Sequence, residues 1–156
     1  MSSKGSKRNT GNRGTILVAD DDSAILVLIR IILTGAGYRV LPACGGEDAI
    51  RLAGQKHLRI DATLLDIHMP GMGAAELANE VRSLRPKIPI LFMSGLVDDE
   101  IIRIRLLDEY AGFLPKPLRG DCLSGAVRQA MAAAGPDGRG AEGRALAAVA
   151  HGAPMA

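Results

Sequence analysis

Five side chains stand at or just beyond the ends of predicted strands: Asp20 and Asp21 after 15–19, Asp66 after 60–65, Ser94 after 89–93 and Lys116 after 112–114. A parallel sheet meets its ligands at the carboxyl ends of its strands, so groups placed there face chemistry while their backbone is held. Three carboxylates gathered in one place repel one another, and such a site either raises a pKa or binds a cation. Hard oxygen ligands that leave room for water suit Mg²⁺, with Asp20, Asp21 and Asp66 as ligands. The backbone carbonyl of His68, two residues past Asp66, can serve as a further ligand. Lys116 supplies a compact cation for a phosphoryl oxygen, and Ser94 supplies a hydroxyl donor. The set fits phosphoryl transfer to a carboxylate, in which Asp66 attacks in line and becomes an acyl phosphate. No nucleotide-binding loop is present, so the donor must bring most of the activation itself. Taken singly, Asp66 and Ser94 read as turn caps and Lys116 as a solvated lysine; their sharing one edge selects the chemistry.

Positioning these groups requires a repeating pattern of strand and helix. Residues 15–19 (TILVA) form a continuous apolar run, the sign of a strand buried on both faces. Asp22 or Ser23 then caps a helix whose apolar residues Ala24, Ile25, Leu28, Ile29, Ile32 and Leu33 recur at helical spacing up to Gly35 and Gly37. Further strands are expected over 38–41, 60–65, 89–93 and 112–114, and further helices over 46–54, 74–84, 98–109 and 121–133. Pro70 and Gly71 turn the chain after Asp66, and Pro86 closes the helix over 74–84. Five strand-then-helix units define an α/β, doubly wound, five-stranded parallel sheet with helices on both faces. Units this short suit the flavodoxin-like order 2-1-3-4-5, which opens a crevice between strands one and three where Asp20, Asp21 and Asp66 emerge.

The 156 residues are enough for one domain with tails, and 47% of them are apolar. Residues 1–14 are expected to form a disordered basic leader, 15–134 the folded domain, and 135–156 a flexible Gly/Ala-rich tail. The leader holds Lys4, Lys7, Arg8 and Arg13; without these four, 15 basic side chains stand against 17 acidic ones. That balance argues against nucleic-acid binding by bulk charge. No apolar run is long enough for a membrane span and no secretory signal opens the chain, so a cytoplasmic protein is expected. Cys44 and Cys122 lack metal-ligand spacing and are expected to be reduced thiols, buried or half-buried.

The segments LVADDDSAI, LLDIHMPGM, ILFMSG and GFLPKPL, in this order and at these separations, resemble the receiver domain of two-component response regulators. The likeness covers about 15–133. It implies that Asp66 is the phosphoacceptor, that Asp20 and Asp21 hold Mg²⁺ with Asp21 as the direct ligand, and that the carbonyl of His68 assists. Ser94 then matches the switch hydroxyl, Lys116 the cation that bonds the phosphoryl group, and Phe113 the rotating aromatic. The Lys116–Pro117 peptide matches one that the family holds cis. The implied partners are a histidine kinase or histidine phosphotransfer protein upstream and an unknown protein downstream. The downstream partner would read the face built from the fourth helix, fifth strand and fifth helix. There Ile101, Ile102, Ile104, Leu106 and Leu107 exceed one buried stripe, although a broad core face explains them equally well. The segment after the last helix is too short and Gly/Ala-rich to fold, so a stand-alone receiver is expected, with no membrane or nucleic-acid partner.

Two other readings remain open at this level. One is a Mg²⁺-dependent phosphohydrolase with Asp66 as nucleophile, although His68 stands where such enzymes place a second acid. The other is a receiver-like docking module that is not phosphorylated, for which the full set of site residues would be unnecessary.

Overall fold

The computed structural model describes residues 12–95 and 112–134. Its strands are β1 (Thr15–Ala19), β2 (Arg39–Ala43), β3 (Ala62–Asp66), β4 (Ile90–Ser94) and β5 (Gly112–Pro115). Its helices are α1 (Ser23–Gly35), α2 (Gly46–Ala53), α3 (Ala74–Leu84) and α4 (Gly120–Ala134). The strands are all parallel in the order β2-β1-β3-β4-β5, the order read from the sequence. The helix expected over 98–109, most of the leader and the tail lie outside the described residues, as do Ile101 to Leu107.

Each face of the sheet carries its own apolar layer. Leu17, Leu65, Ile90 and Phe92 pack with Ala49 and Ala53 of α2 and Leu77, Ala78 and Val81 of α3. Ile16, Val18, Leu64 and Leu91 pack with Leu26, Ile29 and Leu33 of α1 and Leu123 and Val127 of α4. Successive residues of one strand serve opposite layers, which is why β1, β3 and β4 are apolar without alternation.

The strand boundaries differ from the expected ones for identifiable reasons. The strand expected over 38–41 instead covers Arg39–Ala43 and runs through Pro42. It is an edge strand, where a missing N–H costs no ladder bond on the open side. Tyr38, expected inside β2, instead closes α1. Gly37 adopts φ +96°, its N–H donates to the Thr34 carbonyl at 3.0 Å, and the Tyr38 N–H donates to the Leu33 carbonyl at 2.9 Å. That pairing is a glycine-terminated helix end.

Helix α1 is apolar nearly all round, and the sequence could not fix which side faces inward. Leu26, Ile29 and Leu33 are buried, whereas Leu28 is 41%, Val27 58% and Ile31 66% exposed. Cys44, just past the edge strand, is exposed rather than buried, and Cys122 is half-buried. No helix among the described residues is long and apolar enough to cross a membrane.

Thr63 on the central strand is fully buried between Leu17 and Ile90, and its hydroxyl has no hydrogen-bond partner. An unsatisfied buried hydroxyl carries a desolvation cost of about 1–3 kcal/mol. Thr63→Val should therefore raise unfolding free energy by about 1 kcal/mol, read as a higher urea midpoint at unchanged slope. A lower midpoint would mean that the hydroxyl is bonded in solution.

Candidate functional site

The site forms where β1, β3, β4 and β5 end. Asp20 follows β1 directly and is fully buried; its N–H donates to the Ala43 carbonyl at 3.2 Å. The next turn is tied back to it, because the Asp22 N–H donates to Asp20 Oδ1 at 2.9 Å. Asp22 then caps α1, accepting the Ala24 N–H at 2.9 Å. One residue thus fixes both the acidic loop and the start of the helix.

Asp66 is the last residue of β3 and is 4% exposed. Its Oδ1 accepts the His68 N–H at 3.1 Å, a two-residue turn that aims the carboxylate across the sheet edge. Gly71, at φ +94°, makes the turn beyond it possible. His68 itself is exposed. Ser94 ends β4 one rung beyond Met93, the register partner of Asp66, and is buried. Its carbonyl accepts the Lys116 N–H at 2.8 Å, which fixes the backbone of Lys116 just past β5. The Lys116–Pro117 peptide is cis.

From there the Lys116 ammonium reaches both acids, with Nζ 3.0 Å from Asp20 Oδ2 and 3.4 Å from Asp66 Oδ2. Phe113, on β5, is buried in the layer under α2 and α3. The structure therefore gathers Asp20, Asp66 and Lys116 in direct contact. It places Ser94 at the neighbouring strand end and Phe113 in the core.

Charge in this pocket is unevenly compensated. Burial pushes the Asp66 carboxyl above its ordinary range; the His68 N–H opposes this, the Asp20 charge adds to it, and Lys116 opposes it. For Lys116 burial is the largest single influence and acts downward, but the hydrogen bond and ion pairs with Asp20 and Asp66 together carry the ammonium above its usual value.

One carboxylate oxygen from each of Asp20, Asp21 and Asp66 lies within 4.8 Å of the others. Asp20 and Asp66 are buried and Asp21 is exposed. An all-oxygen set with one solvent-facing member fits a hard, partly hydrated cation such as Mg²⁺.

The comparisons with known proteins agree with this geometry. Residues 16–128 match the model of the response regulator receiver domain. Over 122 residues the chain is 30% identical to the sensor kinase CckA of Brucella abortus, covering 78% of this chain and 13% of that protein. Over 117 residues it is 28% identical to the transcriptional regulatory protein AfsQ1 of Streptomyces coelicolor, covering 75% of this chain and 51% of that one. The chain thus spans about half or less of the length of these relatives. A response regulator receiver domain protein from Clostridium thermocellum superposes with a TM-score of 0.71 at 28% identity, covering 76% of this chain and 94% of that one. The chain belongs to the response regulator receiver domain family.

Sequence reasoning missed one feature beside the site. Val27, Leu28 and Ile31 form an exposed apolar stripe on α1, which starts directly after the acidic loop. The signal was present in SAILVLIRIIL, which has more apolar residues than one buried face needs.

The raised Asp66 pKa sets a pH dependence. A carboxyl whose folded pKa exceeds its unfolded value of 3.8 favours the fold below that value, and the advantage is lost as pH rises through the folded pKa. With a chelator present, Asp66→Asn should match the wild type near the bottom of that window. Above it the variant should melt higher by a few degrees. Mg²⁺ at ten times its Kd should add about 1.4 kcal/mol to the wild type and little to the variant. A variant that melts lower at neutral pH would show that Asp66 is stabilising as an anion.

Proposed function

We propose that this chain is a phosphorylation switch in which Asp66 takes a phosphoryl group from a phosphohistidine on a histidine kinase or phosphotransfer protein. The observation that supports it most is the Asp66 carboxylate held between the His68 N–H and the Lys116 ammonium, beside buried Asp20. An Asp66 oxygen attacks phosphorus as the bond from phosphorus to the donor imidazole breaks, and the leaving imidazole keeps the electron pair. The new phosphoryl oxygens meet Lys116, which is already charged and needs no proton movement to pair with them. Ser94, at the adjacent strand end, supplies a hydroxyl to the same group, and Phe113 follows its movement as the switch aromatic. Asp20, Asp21, Asp66 and the His68 carbonyl would hold Mg²⁺, which supplies positive charge to the phosphoryl oxygens. Slow attack by water on the acyl phosphate returns the switch to its starting state, so the chain is not a multiple-turnover enzyme.

Recognition of the donor protein falls to the α1 stripe. Val27, Leu28 and Ile31 lie at helical spacing on the element that begins at the acidic loop, so a helix packed there stands next to Asp66. Output goes to a second protein through the face that includes β5 and α4.

One experiment separates these parts. With Mg²⁺, a small phosphodonor such as acetyl phosphate should add one phosphoryl group to the wild type and to Ile31→Arg, and none to Asp66→Asn. A phosphorylated protein donor should modify the wild type and modify Ile31→Arg at least about tenfold more slowly. Equal modification of Asp66→Asn refutes the phosphoacceptor, and equal rates for Ile31→Arg refute the docking face.

A further inference from the structure

Parallel strands give the molecule two ends of opposite character. Asp20, Asp21, Asp22, Asp48 and Asp66 collect at the carboxyl edge, on or beside the loops that leave β1, β2 and β3. At the amino edge, in the segments that enter β1 to β4, stand Arg13, Arg39, Lys56, Arg59, Arg85 and Lys87, with Asp61 among them. Bulk composition, nearly balanced, hides this separation.

An open cavity of about 420 Å³ lies within the basic edge. Its walls include Ile60, Pro86, Ile88, Pro89 and Met131, with Arg85, Lys87 and Asp61 also lining it. The Arg85 Nε–H donates to the Ala53 carbonyl at 2.9 Å and its Nη2–H to the Gln55 carbonyl at 2.8 Å. Those bonds tie Arg85 to the end of α2 and fix its guanidinium charge beside the cavity. The Asp61 carboxylate is occupied by the Thr15 N–H at 2.7 Å and by Arg59 Nε at 3.0 Å, so it adds little repulsion. Lys56 and Arg59 are exposed in the segment that leads into Ile60, Arg59 to 81%.

We propose that this cavity docks an acidic segment of another protein, with one aliphatic side chain in the cavity and carboxylates against Lys56, Arg59 and Arg85. Charge complementarity selects the sign of the partner, and the aliphatic walls select its kind. A phosphate backbone has nothing to fill an apolar cavity, and Tyr38, Phe92 and Phe113 are buried and offer bases no stacking face, which leaves the exposed imidazole of His57 as the one ring on this edge among the described residues. The cavity lies at the opposite end of the strands from Asp66, so a partner held there leaves the phosphoryl site open.

The test uses the full chain and fluorescence anisotropy of a short labelled peptide of glutamates around one central leucine. The wild type should bind it, with affinity falling as salt rises. Replacing the leucine by serine should weaken binding roughly tenfold, and the Lys56→Glu/Arg59→Glu variant should weaken it by about tenfold or more. Asp66→Asn should bind as the wild type does. No binding, equal binding of the serine peptide, undiminished binding by the charge-reversed variant, or equal binding of a DNA duplex or phosphatidylserine vesicles overturns the proposal. Circular dichroism checks that the variant folds. Its phosphoryl uptake from acetyl phosphate keeps this outcome separate from that of the phosphorylation reading.

Discussion

The contact of the Lys116 ammonium with Asp20 and Asp66 is what the carboxyl edge depends on. Two buried carboxylates from separate strands would repel at close range, and burial raises the cost of each charge. One cation placed between them makes the arrangement tolerable while leaving Asp66 only partly compensated, as its raised pKa records. Lys116 reaches this position because β5 pairs with β4 and the Ser94 carbonyl holds its N–H. The five-strand register is thus a device for bringing residues 20, 66 and 116 together.

Much of this was legible in the sequence because the signals were local and redundant. Apolar runs ending in Asp, Ser or Pro-Lys gave strands and their exits, and five such units with short connections left few topologies. Helix phase and strand ends stayed illegible. Helix α1, apolar on nearly every side, carries no periodic contrast, so Leu28 was placed inward and Leu26 was overlooked. The strand expected over 38–41 ends too early, although the expected order already makes β2 an outer strand, where Pro42 is tolerated. Cys44 meets solvent just past that strand. The spatial split of charge could not be seen at all, since residues from four different loops enter one edge only after the sheet has formed.

Function divides along the same lines. The carboxyl edge is built from strand ends, with Asp20 and Asp66 held by the central strands β1 and β3 and Lys116 held past the edge strand β5 by the Ser94 carbonyl. The α1 stripe and the amino edge are exposed surfaces of the same scaffold, outside the contacts that hold Asp20, Asp66 and Lys116 together.

The most direct measurement is a double-mutant cycle on unfolding free energy, in a chelator at neutral pH, using Lys116→Met, Asp20→Asn and both together. If Lys116 is the counter-charge for the acidic edge, its loss should cost more in the wild type than in the Asp20→Asn background, with a coupling of about 0.5–3 kcal/mol. Additive effects would contradict the account, since the ammonium would then be contributing nothing to the acids it touches.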